Sequence, residues 1–393
     1  MRYLISGYYG ERNAGDEAIL AGILQEIRRR DADAEFTVLS FDPEDTRRRH
    51  HVDALSTSLR DPAALTAAMR AAHLLISGGG SILHEADFEA HGRSFLFRQG
   101  KLRPVPYFLS VVLMARALGL PVMWYAQGLG PLHTRAARLL VGLAGSASQV
   151  VSWRDPESAR LAAEVGVRAP VQTVVPDPAY ALEPASKQVT APVLEAAGLP
   201  PGSRYLAVCP RPWLGRTAYV RALVAAVAGV AAERGLAVVL VPFHGRLDAP
   251  LCAELADSPE FAGRAYVAPE ADPAVLAGIL GGAECAVAMR LHGGILSAAA
   301  GTPAAALDYD PKVASFAAQT GQRRWSLTLD VLESDGGTAA LAAALLDTLD
   351  HLDERRAALE RRVAPLRAEA GRTAALAVQL AAGGRRRRSM GAS

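Results

Sequence analysis

Short, continuous apolar runs that end in glycine limit the fold of this chain more than any other feature. Tyr3-Leu4-Ile5-Ser6 runs into Gly7, His73 to Ser77 into Gly78-Gly79-Gly80, and Val122 to Tyr125 into Ala126-Gln127-Gly128. Runs this short and this unbroken suit strands buried on both faces, as in a parallel sheet covered by helices. Helically spaced residues between the runs, such as Ile19, Leu20, Ile23, Leu24 and Ile27, supply the crossovers that parallel strands need. Six strands are predicted in the first half: Arg2 to Ser6, Phe36 to Ser40, His73 to Ser77, Val122 to Tyr125, Gln149 to Ser152 and Val171 to Val175. Alternating with helices, they make a doubly wound sheet.

A Pro- and Ala-rich stretch at 183–203 interrupts the pattern, which then restarts. Strands follow at Tyr205 to Cys209, Ala237 to Val241, Ala265 to Val267 and Glu284 to Ala288, and a further apolar run leads to Leu307. The predicted architecture is α/β, with two Rossmann-like domains facing each other across a cleft in the glycosyltransferase-B manner. The expected boundaries are 1–182 for the first domain, 183–203 for a linker, 204–335 for the second domain, 336–384 for C-terminal helices and 385–393 for a basic tail, disordered by default. A length of 393 residues suits two cores, and a net charge of +2 creates no global field calling for nucleic acid. Cys209, Cys252 and Cys285 lie far apart and read as small buried hydrophobes in a reducing compartment. The chain opens directly on a strand, without room for a signal peptide. Its most apolar stretch, Val105 to Leu120, is broken by Arg116 and falls short of the ~20 residues of a membrane span. A cytoplasmic protein is therefore expected.

Chemistry concentrates at strand exits. Ala288-Met289-Arg290-Leu291-His292-Gly293-Gly294 is a strand end turning into a helix. The helix start offers unpaired N–H groups to an anion, Arg290 a planar cation and His292 a proton that moves near neutral pH. A surface turn holding a salt bridge is the plainer reading. Asp16 is either a helix cap or a carboxylate at a strand-to-helix turn. Gly78-Gly79-Gly80-Ser81 permits close approach of a ligand or another backbone, but lacks the Lys and spacing of a P-loop. Arg47 to His51 reads as a solvated charge run, and Arg154 as a strand-end cation. His84, Glu85, Asp87, Glu89 and His91 match no standard metal spacing. Arg93, Arg98, Lys101 and Arg103 interleave with Phe95 and Phe97 ahead of Tyr107 and Phe108. That stretch is either a surface resting on anionic lipid or a charged loop before an internal helix. The Arg385 to Arg388 tail is a second candidate for weak lipid contact.

Taken in order, the motifs resemble the polysaccharide pyruvyl transferases, in particular their CsaB type. They are Gly7-Tyr8-Tyr9-Gly10 with Asn13-Ala14-Gly15-Asp16-Glu17-Ala18, Ser77 to Ser81, Tyr125 to Pro131, Ser152-Trp153-Arg154-Asp155, Pro176-Asp177-Pro178, Arg290-Leu291-His292 and Asp308 to Lys312. The resemblance spans roughly residues 1 to 322. It implies transfer of the enolpyruvyl unit of phosphoenolpyruvate, as co-substrate and with no other cofactor or metal, onto a sugar to form a 4,6-linked pyruvyl ketal. The implied acceptor is a lipid-linked saccharide containing β-ManNAc, destined for a secondary cell-wall polymer that anchors surface-layer proteins. That lipid link would bring the protein to the inner face of the membrane. His292 and Asp16 are then the expected general acid and base. Arg290, Leu291, Gly293, Gly294, Arg154 and Lys312 are expected to bind the donor. Asn13, Gly79, Gly80, Ser81, Gln127 and His244 are expected to contact the acceptor. At His84-Glu85 the chain departs from the Gln-Asp that the resemblance leads one to expect. Two other functions fit the same architecture: a glycosyltransferase or sugar-nucleotide epimerase acting on a UDP-sugar, and a non-catalytic saccharide-binding protein.

Overall fold

The structure, a computed structural model, describes residues 1–57, 61–85, 97–98 and 101–391. It forms two compact units, one of residues 1–11, 19–178 and 368–393 and the other of residues 12–18 and 179–367. Each is an α/β unit built on a parallel sheet.

The first unit holds β1 (Arg2–Ser6), β2 (Glu35–Ser40), β3 (Asp53–Ser56), β4 (Leu74–Leu83), β7 (Val122–Leu129), β8 (Val150–Trp153) and β9 (Val171–Val174), in the order β3-β2-β1-β4-β7-β8-β9. A small antiparallel hairpin, β5 (Phe97–Arg98) and β6 (Lys101–Leu102), stands apart. Successive side chains of a strand point to opposite faces, and here both faces are covered. Leu4, Leu75, Trp124 and Val151 pack on one side beneath the helices Pro104–Ala117 and Arg135–Ala147. Tyr3, Ile5, Ile76 and Met123 pack on the other against Ile19, Leu20, Ile23, Leu24 and Ile27 of the helix Ala14–Arg28, together with Ala374, Ala377 and Ala381. The unbroken apolar runs follow from this double burial.

Three sequence expectations are corrected. The polar stretch after Ser40 is a helix, Pro43–His50, followed by a seventh strand, β3. The Asp42 side chain caps this helix by accepting from Asp45 N at 3.1 Å, while Arg48 and Arg49 reach back to the Asp45 carboxylate. A cap and (i, i+3/i+4) ion pairs hold a helix that has no apolar stripe to announce it. The last helix runs from Leu352 to Gly391, through the residues expected to form a loose tail. The helix Pro104–Ala117 is internal, with Val105, Tyr107, Phe108, Val111 and Val112 all buried. The lipid-facing alternative for it is therefore withdrawn, while Asp87, Glu89, His91, Arg93 and Phe95 lie outside the described residues. Among the described residues no helix is long and apolar enough to cross a membrane, and no group of His, Cys, Asp and Glu could hold a metal ion.

The second unit holds β10 (Tyr205–Cys209), β11 (Ala237–Leu240), β12 (Ala265–Val267), β13 (Cys285–Ala288), β14 (Ala304–Asp308) and β15 (Leu327–Thr328), in the order β12-β11-β10-β13-β14-β15. Its core joins Leu206, Val208, Leu240, Val287 and Leu307 to the helices Ala218–Arg234 and Gly337–Asp350. The 183–203 stretch contains a helix, Lys187–Ala196. All three cysteines are buried, and burial pushes the Cys252 and Cys285 thiols up to about 12. In each sheet the strand order reverses once, between β1 and β4 and between β10 and β13. Open α/β sheets take their ligands beyond the C-terminal ends of the strands at such reversals.

The glycine run lies within β4 in a conformation that side chains resist. Gly78, Gly79 and Gly80 have φ of +122°, +84° and +82°, and a Cβ on Gly79 would stand 2.2 Å from Ile19 Cγ2. Replacing Gly79 by Ala is expected to cost about 2–4 kcal/mol, since a left-handed backbone and an overpacked contact are both unfavourable. Urea denaturation of the variant against the wild type measures this.

Candidate active site

The exits of β10, β11, β13 and β14 bring together most of the chemistry of the second unit. Arg290 occupies the N-cap position of the helix Leu291–Ala299, and His292 lies in its first turn. Beneath them Asp248 is fully buried. Its Oδ2 accepts from Phe243 N at 3.1 Å, His244 N at 2.9 Å and Arg290 Nε at 2.8 Å, and its Oδ1 takes Arg290 Nη2. A carboxylate stripped of water needs such partners, and the two-point pairing suits the guanidinium fork. One side chain thereby ties the turn after β11 to the turn after β13. Arg290 Nη1 makes no hydrogen bond among the described residues.

The first loop of the chain is stitched to the same place. Ala14 N donates to Phe243 O at 2.8 Å, and Asn13 forms an isolated antiparallel bridge with His244. Gly15 lies directly against the His292 ring, where a Cβ would come within 2.3 Å of Nδ1. Asn13, rather than Asp16, serves the helix start: its Oδ1 accepts from Gly15 N at 3.2 Å and its carbonyl from Glu17 N at 3.0 Å. Asp16 sits inside the first turn, and its Oδ2 accepts from Asn13 Nδ2 at 2.5 Å. The carboxylate is therefore oriented by a neighbour and belongs to the residue that follows the glycine on His292.

Gly293 and Gly294 answer to packing. A Cβ on Gly293 would stand 2.9 Å from Cys209 Sγ, and one on Gly294 2.5 Å from Phe316 Cε1. The helix can approach the sheet and its neighbouring helix only because both side chains are absent. Leu291 is buried beside them. At the end of β14, burial raises the Asp308 carboxyl above its ordinary value, and beyond the strand Lys312 Nζ pairs with Asp310 at 3.2 Å.

The remaining sequence candidates gather in the first unit. Arg154 donates to Ser81 Oγ at 2.6 Å and pairs with the buried Asp177 at 3.6 Å. Its guanidinium lies over Gly128, where a Cβ would meet Arg154 Nη2 at 3.0 Å. Gln127 is fully buried and spends its amide on Gly80 O and Gly128 O at 3.1 and 2.8 Å, so it shapes the turn from within. Gly79 packs on Ile19, and the carbonyl before it accepts from Tyr9 OH at 2.6 Å. Glu85, at the departure from the expected motif, accepts from His133 N, Thr134 N and Thr134 Oγ1. It thus holds the start of the helix Arg135–Ala147.

The structure therefore brings Asn13, Asp16, His244, Arg290, Leu291, His292, Gly293 and Gly294 together, with Lys312 at the neighbouring strand exit. It sets Arg154 with Ser81, Gln127 and Gly80. Two residues escaped the sequence reading. Asp248 lies 42 residues before its partner, a separation that no local pattern bridges. Arg211, two residues beyond β10, carried the same signal as Arg154, a cation at a strand exit.

The family model for polysaccharide pyruvyl transferases matches residues 13–311, three-quarters of the chain and the span that contains this constellation. The chain belongs to the polysaccharide pyruvyl transferase family. As a member it is a transferase, with a pyruvyl donor and a sugar acceptor implied by the family. Solved structures share the fold at low identity. The UDP-GlcNAc 2-epimerase of Methanocaldococcus jannaschii is 11% identical with a TM-score of 0.60, over 89% of this chain and 93% of that one. The Neisseria meningitidis UDP-GlcNAc 2-epimerase, solved with UDP-GlcNAc, is 11% identical with a TM-score of 0.61, over 97% and 99%. The Escherichia coli ADP-heptose lps heptosyltransferase II is 14% identical with a TM-score of 0.50, over 90% and 100%. These are glycosyltransferase-B-like proteins, in keeping with the two parallel-sheet domains read from the sequence. No curated protein matches the sequence significantly.

In this pyruvyl transferase the buried ion pair is the joint of the site. Asp248→Ala leaves Arg290 without its partner and is expected to cost about 3–5 kcal/mol, read by chemical denaturation. Adding Arg290→Met should recover part of the loss, because the stranded charge is removed.

Proposed function

We propose that this pyruvyl transferase uses phosphoenolpyruvate as donor and forms a 4,6-pyruvyl ketal on a sugar, releasing inorganic phosphate. The observation that carries this reading is the packing of the Asn13–Asp16 loop on His292, beside an arginine fixed by a buried carboxylate. It supports reading His292 as the proton donor and Asp16 as the base, with a cation beside them. In the first step a sugar hydroxyl adds to C2 of the donor while C3 takes a proton and becomes a methyl group. In the second the neighbouring hydroxyl displaces phosphate from C2 and closes the ketal. His292 supplies the proton to C3 and Asp16 removes the hydroxyl proton, each role typically contributing ~10²–10⁴-fold. Arg290 and Lys312 face the anionic donor. The scheme needs no cofactor and no metal.

The acceptor proposed from the sequence resemblance is a lipid-linked saccharide bearing β-ManNAc, of the kind built into a secondary cell-wall polymer that anchors surface-layer proteins. The CsaB type and work at the inner membrane face belong to the same proposal. The fold likeness to UDP-GlcNAc 2-epimerases favours one competing reading, a nucleotide-sugar enzyme.

Thermal shift separates the two, because a ligand stabilises the folded state it binds. Phosphoenolpyruvate alone should raise the melting temperature. A rise with UDP-GlcNAc and none with phosphoenolpyruvate would favour the competitor. In a turnover assay with phosphoenolpyruvate and a β-ManNAc-terminated acceptor, the wild type should release phosphate and add a pyruvyl mass to the acceptor. His292→Ala should abolish both. Gly15→Ala, whose methyl would strike the His292 ring, should lower kcat at least about tenfold. Near-normal turnover by His292→Ala would remove that residue from the mechanism.

A further inference from the structure

Two arginines stand at the strand-order reversal of the second sheet, Arg290 after β13 and Arg211 after β10. Their surroundings differ in one respect. Arg290 is matched by Asp248, just as Lys312 is matched by Asp310 and Arg216 by Glu333 and Asp330. No carboxylate lies within ion-pair distance of Arg211 among the described residues. Two aromatic rings hold it instead. Its Cζ is 4.9 Å from the Trp213 ring centroid and 5.0 Å from that of Tyr309, the two rings lie 4.4 Å apart, and Nη1 donates to Tyr309 Oη. Its own carbonyl accepts from Tyr219 OH, which fixes the backbone.

Neighbouring rings immobilise a guanidinium without neutralising it, and the N–H groups that Tyr309 does not take are left for an oxyanion. A planar fork that has already lost its rotamer freedom gives up little more on binding. We propose that Arg211 is an anion receptor, clamped by Trp213 and Tyr309, that takes the carboxylate or the phosphate of the small acidic donor. This rests on the phosphoenolpyruvate reading above. It adds a donor-binding residue that neither the sequence motifs nor the family match assigns.

The test uses the reporter the site contains. Tryptophan fluorescence of the full chain is titrated separately with phosphoenolpyruvate, inorganic phosphate and pyruvate in the wild type, Arg211→Gln, Arg211→Lys and Trp213→Phe. The wild type should give a saturable change that Trp213→Phe lacks. Arg211→Gln should weaken apparent affinity about 10- to 100-fold, the usual worth of a hydrogen bond to a charged group, and Arg211→Lys by less. In turnover, the KM for phosphoenolpyruvate should rise by the same factor, with kcat and the acceptor KM within about threefold. A response to phosphate but not pyruvate assigns the phosphate to Arg211, and the reverse assigns the carboxylate. If Arg211→Gln and Arg211→Lys, folded by circular dichroism, bind and turn over like the wild type, the clamp is purely structural and the inference fails. Anion binding through Arg211 without any pyruvylated product would instead overturn the proposed reaction and leave the receptor standing.

Discussion

The Asp248–Arg290 pair is the interaction on which the rest of the candidate site depends. A carboxylate without solvent contact is unfavourable by several kcal/mol unless its charge is met. Here it is met by one guanidinium and two backbone N–H groups. Because the donors come from the turns after β11 and β13, the pair sets where Phe243, His244 and the start of the helix Leu291–Ala299 can lie. The turn after β11 in turn receives Ala14 and Asn13. The sequence of dependence is physical: buried charge, fixed turns, docked loop, oriented His292.

Small residues complete the arrangement by their absence of side chains. Gly15 lets the first loop rest on the His292 ring, and Gly293 lets the helix rest on Cys209. The glycine pair after His292 reads in the sequence as the start of a helix open to an anionic donor. In the structure it is an opening for neighbouring protein atoms. Arg211 and Arg290 are held in different ways. Arg290 is fixed by a buried carboxylate that takes its Nε and Nη2, and Arg211 lies against two aromatic rings with no carboxylate within ion-pair distance among the described residues.

Much of the fold was legible because double burial writes itself as unbroken apolar runs. β10 and β12 were read to the residue, and β11 and β13 to within one. The helix Pro43–His50 was not, since its stability lies in a cap and ion pairs that look like solvated charge. Among the site residues, Arg290, His292, Asn13 and Asp16 were legible as strand-exit chemistry and from the family's motifs. Their grouping was not, because Gly15 against His292 and Asp248 against Arg290 are contacts between distant segments. Gln127 shows the opposite failure: a polar residue in a glycine turn looked available, yet burial commits its amide to Gly80 and Gly128.

A crystal structure with phosphoenolpyruvate bound tests the central claim most directly. The account predicts the donor at the β10/β13 strand exits, its anionic groups within hydrogen-bond distance of Arg211 or Arg290 and its methylene carbon facing His292. Donor bound elsewhere, with these three side chains unoccupied, would contradict it.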